Sequence, residues 1–382
     1  MSEYKLIFMY GFALFGMFFG AGNLVFPIKI GQITGEHWML GSLGLTITGI
    51  ILPFLGLFVV KLHRGDYMRF FGGAGSLAKL LLPLFMLSLL GSFGAVPRCI
   101  TVAYGGISQL MPGFSLGIFS GIFCGIAYFV SLKDQRIISI VGKWMTPILL
   151  LLLAILFILG ATTGNPQLAM NAALAQSFCD GITTGYQTMD LLAAFFFSAL
   201  VFAQIQKTLP EGTSDKDLMG ISIKSGIIAV ILLAIVYIGM VFLGSNFSSL
   251  IANIDPALML TTIASHTMGS HATLFMGITI MFACFTTVVA LNGIYARYLH
   301  SLFGLKSDKF RFILFLTTAT SFAVSLFDFN GIARFLAPIL EALYPSTIVL
   351  TVISIFSKKH HTIKIISFYG ILAAVILYKF FT

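Results

Sequence analysis

The chain opens on an apolar run from Leu6 to about Ile30, and runs of that length recur to its other end. About twenty apolar residues in helical form cross the hydrocarbon core of a bilayer. Lipid offers no partners to backbone N–H and C=O groups, so a spanning segment must satisfy them itself, as a helix does. With 58% hydrophobic and 9% charged residues, and a mean hydropathy of +1.01, the composition excludes an ordinary soluble domain. The expected class is an all-α polytopic membrane protein.

About eleven spans are expected, near 5–30, 38–60, 77–104, 114–132, 144–161, 184–206, 221–244, 272–299, 310–328, 334–356 and 363–381. The net charge of +9 has a topological cause. Basic residues gather in the loops after even-numbered spans: Lys61, Arg64, Arg69 and Lys79; Lys133, Arg136 and Lys143; Lys207, Lys216 and Lys224; Arg297, Lys306, Lys309 and Arg311; Lys358, Lys359 and Lys364. Arg334 is the main exception. The positive-inside rule then puts the N-terminus in the cytoplasm and the C-terminus outside, and no nucleic-acid partner is expected. The first span is too long for a signal h-region and should be retained. Cys99, Cys124, Cys179 and Cys284 are scattered and read as small apolar packing residues. His266, His271, His360 and His361 read as solvated loop residues. Two outer loops are long. In residues 162–183, Gln167 to Phe178 reads as a short helix, and in 245–271, Asp255-Pro256 reads as the start of another running to about His266.

The first span carries Phe18-Phe19-Gly20-Ala21-Gly22-Asn23 in its middle and Pro27 four residues on. Glycine lowers the cost of leaving helical geometry, and proline removes a backbone donor. Freed backbone groups at membrane depth are tolerated where they line a cavity, so this interruption is a candidate ligand site. The competing reading is close helix packing on small residues.

Three further places put polar groups inside spans, where they default to functional candidates. Arg98, after Pro97, can pair with a substrate carboxylate, but a structural role is favoured. Asp190 follows Gly185-Tyr186-Gln187-Thr188-Met189 at the outer end of the sixth span. It can meet an ammonium, bind a cation, tie two helices together or cap the helix it precedes. In the eighth span, Ala283, Thr286 and Thr287 set one carbonyl and two hydroxyls on one face. That is a partial shell for a small hard cation, or two threonines bonded back within their own helix. Asn292 adds a polar group without an assignment. Spans one and six run in opposite directions, five spans apart, which suits two inverted five-helix units with the site at their broken helices. The units are expected at 1–161 and 184–328 to 356, with a connector at 162–183 and an additional C-terminal helix at 357–382.

Together, Phe19-Gly20-Ala21-Gly22-Asn23 with Phe26-Pro27, Pro97-Arg98, Gly185-Tyr186-Gln187-Thr188-Met189-Asp190, Phe285-Thr286-Thr287 and Leu343-Tyr344-Pro345 resemble the bacterial branched-chain amino acid:cation symporter family. The resemblance implies a five-plus-five inverted repeat of the leucine-transporter type, with a broken first helix and a broken sixth. Family members typically have twelve spans. The span short here is C-terminal and outside the repeat. The resemblance implies Na⁺ as coupling ion, held by the carbonyls of Gly16 and Phe19 with Ala283, Thr286 and Thr287. The substrate carboxylate then meets amides near Gly20, Ala21, Gly22 and Asn23. Asp190 or carbonyls beside it, near Thr188, take the ammonium, and a pocket including Phe197 takes the branched side chain. The sixth span lacks a glycine in Leu191 to Ser198, where unwinding is expected.

The function expected is sodium-coupled import of leucine, isoleucine or valine across a bacterial inner membrane, with no other cofactor. Proton coupling through Asp190 and uncoupled carriage remain alternatives. An intramembrane enzyme is disfavoured by the lack of H-E-x-x-H, paired aspartates or a serine–histidine constellation.

Overall fold

The computed structural model describes residues 3–108, 110–111, 113–132, 146–164, 173–210, 212–357 and 361–381, with the side chains of 270–272 and 380–381 excepted. Lys133, Arg136, Lys143, Lys358, Lys359, His360, the His271 side chain and residues 167–172 of the helix expected from Gln167 lie outside that set. All regular structure among the described residues is helical.

In chain order the helices are α1 (Glu3–Phe18), α2 (Ala21–Thr34), α3 (Trp38–Thr46), α4 (Leu52–Leu62), α5 (Tyr67–Gly72), α6 (Ser76–Leu90), α7 (Ala95–Ser108), α8 (Leu116–Ser131), α9 (Thr146–Thr163), α10 (Leu174–Gln187), α11 (Asp190–Thr208), α12 (Asp215–Asn246), α13 (Met259–Met268), α14 (Ser270–Leu302), α15 (Phe310–Ser325), α16 (Asp328–Phe356) and α17 (His361–Phe381). Eight helical stretches among the described residues are long and apolar enough to cross a bilayer. That count is below eleven because three helices in expected spans, Glu3–Phe18, Leu116–Ser131 and Phe310–Ser325, are short at 16 residues each.

Three expected spans are interrupted. The first stops at Phe18 and resumes at Ala21. The sixth begins at Leu174, ahead of the expected residue 184, and breaks at Thr188–Met189 rather than within Leu191 to Ser198. No glycine is needed there because Met189 itself takes the left-handed conformation at φ 63°, and a fully buried site holds it. The third span, expected unbroken, turns through residues 91–94 between α6 and α7. In the second, a π-helical turn at Ile47–Ile51 joins α3 to α4. Past the seventh, the Asp255 side chain accepts the Ala257 amide at 2.8 Å, and a 3₁₀ turn leads into α13, close to the helix expected there.

Small residues let the central helices touch backbone to backbone, as in membrane bundles generally. A Cβ on Gly31 of α2 would lie 1.9 Å from the Val241 carbonyl of α12, and one on Gly244 of α12 would lie 2.0 Å from that of Ile28. Across α7 and α14, a Cβ on Gly277 would lie 2.1 Å from the Gly106 carbonyl. The α1–α2 pair is thus enclosed, and Gly16 through Pro27 are all buried. Apolar side chains at the periphery, such as Ile118, Ile122, Phe129, Phe315 and Ile366, are exposed, the pattern of a surface that lipid covers. Lys61, read from sequence as a loop cation, is instead buried, its Nζ donating to the Ser222 carbonyl of α12 at 2.5 Å.

Candidate functional site: two helix breaks joined at Asn23 and Asp190

The two interrupted helices meet. A Cβ on Gly22 would stand 3.1 Å from both the Cα and the carbonyl oxygen of Thr188, so the restart of one helix rests on the break of the other. Side chains fasten this junction. Asn23 donates its Nδ2 to both carboxylate oxygens of Asp190, at 3.0 and 2.9 Å. Its Oδ1 accepts the Gly20 amide at 3.3 Å. Tyr237 of α12 donates its hydroxyl to Asp190 at 2.5 Å and also contacts the Asn23 amide nitrogen. Asn23, Asp190 and Tyr237 are 2%, 2% and 1% exposed, so a hydrogen-bonded carboxylate sits in the interior. Of the readings open from sequence, tying two helices together is the one Asp190 takes here. It lies in the first turn of α11, where the helix dipole favours negative charge, while the N-cap position falls to Met189.

Arg98 takes the structural role favoured for it. It is 1% exposed, and its Nη1 donates at 2.8 Å to the Gln187 carbonyl at the end of α10. The guanidinium lies 5.4 Å from the centre of the Phe26 ring, a cation–π contact. A carbonyl left free by the second break is thereby satisfied from α7, and α2, α7 and α10 are held together.

Gly20, Ala21, Gly22, Asn23, Thr188, Asp190 and Phe197 all line one small cavity, with Thr287, Arg98 and Cys99 among its other walls. Its volume is about 20 Å³, room for a single water. Phe18 and Phe197 close one side edge to face, centroids 5.3 Å apart. At the break, the Ala21 amide has only the Cys99 sulfur at 3.4 Å, and sulfur is a weak acceptor. An amide so placed is poised for a better acceptor.

Against this break α14 sets its threonines. Thr286 Oγ1 lies 3.3 Å from the Gly16 carbonyl and 2.8 Å from that of Ala283. Thr287 Oγ1 lies 3.2 Å from the Met17 carbonyl and 3.3 Å from that of Ala283. The back-bonded and ion-shell readings therefore coexist, since each hydroxyl reaches its own helix and the end of α1 at once. Five neutral oxygens gather here, a donor set suited to a hard monovalent cation. The carbonyl beside Thr287 is that of Met17, where the resemblance implied Phe19, because α1 keeps helical geometry to Phe18 and the chain turns only afterwards. Among the described residues no group of three or more His, Cys, Asp and Glu side chains could hold a metal ion.

Tyr237 escaped the sequence reading, and Cys99 was read there only as a packing residue. A tyrosine within an apolar span is unremarkable by itself. Its only signal was a hydroxyl at membrane depth that needs a partner.

The comparisons agree with this architecture. Residues 3–379 match the family described as "Branched-chain amino acid transport protein". The branched-chain amino acid permease BrnQ of Haemophilus influenzae is 33% identical over 379 residues, covering 95% of this chain and 84% of that protein. The permease BraB of Bacillus subtilis is 30% identical over 357 residues, covering 91% and 79%. Among solved structures, a Na⁺-coupled sialic acid symporter aligns at TM-score 0.62 with 11% identity, over 92% of this chain and 79% of that one. MhsT, solved with L-phenylalanine, aligns at 0.60 with 15% identity over 97% of each, and inward-facing Mhp1 at 0.59 with 17% over 91% and 76%. The likeness establishes the fold of the leucine-transporter type. These relatives are transport proteins, not enzymes, and this chain, a multi-pass membrane protein, belongs to the branched-chain amino acid transport protein family.

Proposed function

We propose that the protein imports leucine, isoleucine and valine together with Na⁺ by alternating access. The observation that carries this reading is the junction of two broken helices inside one enclosed cavity, with ion-suited oxygens on one wall. In this reading the amides at Gly20, Ala21 and Gly22 receive the substrate carboxylate, aided by the positive end of α2. Asp190, positioned by Asn23 and Tyr237, takes the ammonium. Phe197 lies against the branched side chain. Gly16, Met17, Ala283, Thr286 and Thr287 hold the ion, with the Phe19 carbonyl as the implied alternative to Met17. The ion then splints the end of α1 to α14, and the substrate binds the same break from the other side. Each stabilises the geometry the other needs, which is a reciprocal coupling free energy. A cavity of about 20 Å³ must widen to admit any amino acid. Opening to one side at a time is the motion required.

The same reading keeps eleven spans in a five-plus-five inverted repeat, with units at 1–161 and 184–328 to 356. It sets the N-terminus in the cytoplasm and the C-terminus outside, in a bacterial inner membrane. Selectivity among the three substrates is shallow, since one methylene in an apolar pocket changes binding by about 1–3 kcal/mol. Proton coupling is the second reading, favoured by one observation: the buried Asp190 carboxylate, which could carry the proton. Radiolabelled leucine uptake into proteoliposomes, with sodium and proton gradients imposed in turn, separates the two. Accumulation driven by sodium alone supports the first, and accumulation driven only by a proton gradient replaces it with the second.

A further inference from the structure

Helices α7 and α14 run antiparallel in close contact: Gly91, in the turn before α7, packs on Tyr295, and Gly106 and Gly277 touch through their backbones. Cys99 lies seven residues before Gly106, and Cys284 seven residues after Gly277, two helical turns from the crossing on each helix. The contact of Gly106 with Gly277 therefore places Cys99 and Cys284 opposite one another across the two antiparallel helices. Cys99 is 1% exposed and lines the cavity at the break, whereas Cys284 is fully buried behind it. Neither sulfur has a place in the transport reading, yet each adjoins a residue that does: Cys99 accepts the Ala21 amide of the break at 3.4 Å, and Cys284 directly follows Ala283 of the ion set.

We propose that Cys99 and Cys284 form an oxidisable dithiol whose closure to a disulfide shuts down the site. The oxidant is hydrogen peroxide, small enough to enter when the cavity opens. The Cys99 sulfur, as thiolate, attacks one peroxide oxygen. The O–O bond breaks, an S–O bond forms, and the departing hydroxide takes up the proton the thiol gave up and leaves as one water, so sulfur is oxidised by two electrons and peroxide reduced by two. The Cys284 sulfur then attacks the Cys99 sulfenic acid. The S–S bond forms, the S–O bond breaks, and the departing hydroxide leaves with the Cys284 proton as a second water. The product draws the Cys99 sulfur toward α14 and away from the Ala21 amide that it accepts at 3.4 Å. It also tethers the ion-site segment of α14 to α7.

The test uses full-length protein in proteoliposomes treated with hydrogen peroxide. Thiols are counted with a maleimide after denaturation, and cross-linked peptides are identified by mass. Untreated protein should show four free thiols and treated protein two, with Cys99 and Cys284 in one linked peptide. Leucine uptake should fall at least tenfold and return with dithiothreitol. In Cys284→Ala, Cys99 should instead be trapped as a sulfenic acid by dimedone. Four thiols remaining after treatment, a disulfide between other cysteines, or uptake unchanged while the linked peptide forms would each overturn the proposal. The thiol count and peptide masses do not depend on the substrate assignment. A protein that forms the link but never takes up leucine refutes the transport reading and with it the claimed shutdown, while the dithiol stands.

Discussion

Replacing Asn23 by alanine strikes the junction most directly. The side chain donates to Asp190 at 3.0 and 2.9 Å and accepts from the Gly20 amide at 3.3 Å. A hydrogen bond to a charged group contributes about 1.5–3 kcal/mol net, and a neutral one about 0.5–1.5 kcal/mol. Counting the forked contact to Asp190 once, the alanine loses one bond of each kind and leaves a buried carboxylate with Tyr237 still on one oxygen. The expected penalty is about 3 kcal/mol, roughly two orders of magnitude in an equilibrium constant. In the proposed reading Asn23 also positions Asp190 for the substrate ammonium, so the loss should emerge as weaker leucine binding. Equilibrium binding of radiolabelled leucine to purified protein measures it, with a melting curve run in parallel to separate loss of fold from loss of grip. The companion variant Asp190→Asn and the double variant complete a thermodynamic cycle. Because the two residues share the contact, their penalties should fall short of additive by at least about 1.5 kcal/mol. Additive penalties, or leucine affinity within threefold of wild type in Asn23→Ala, would refute the reasoning.

Four other outcomes follow from the same geometry. Gly22→Ala pushes a methyl to 3.1 Å from the Thr188 backbone, which must shift by a few tenths of an ångström; folded protein with leucine affinity at least tenfold weaker is expected from binding assays. Gly31→Ala sets a methyl 1.9 Å from the Val241 carbonyl, so overpacking should cut the yield of monodisperse protein on size exclusion and lower its melting temperature. Arg98→Met strands the Gln187 carbonyl at the end of α10; about 1–3 kcal/mol of stability should be lost, read as a lower melting temperature whether or not leucine is present. Tyr237→Phe removes the hydroxyl between Asn23 and Asp190, and a roughly tenfold rise in the leucine Kd is expected for one lost bond to a carboxylate.

Much of the architecture is legible in the sequence because lipid permits so few solutions. Apolar run length follows from the bilayer itself, and Gly20 with Gly22 marks a break through backbone chemistry alone. The sixth helix is different. Its break carries no glycine, since Met189 adopts the left-handed conformation under the constraint of burial, and local propensity cannot foresee that. The turn at 91–94 divides a segment whose hydropathy reads as continuous, and its glycines also serve close packing, as the Gly91 contact with Tyr295 illustrates. Thr286 and Thr287 were visible as paired hydroxyls, but whether Met17 or Phe19 supplied the facing carbonyl depended on where α1 stops winding. Tyr237 and the Cys99–Cys284 pair depend on contacts between helices far apart in sequence, and periodicity along one helix says nothing about the register of another.

Joint grip of cation and substrate is the central claim, and the dependence of leucine affinity on sodium tests it most directly. With purified protein at constant ionic strength, replacing choline by sodium should tighten leucine binding at least tenfold, and leucine should tighten sodium by the same factor. In Thr286→Val/Thr287→Val the sodium effect should vanish while melting behaviour without sodium stays near wild type. Equal leucine affinity in sodium and in choline, or a sodium effect intact in that double variant, would contradict the account.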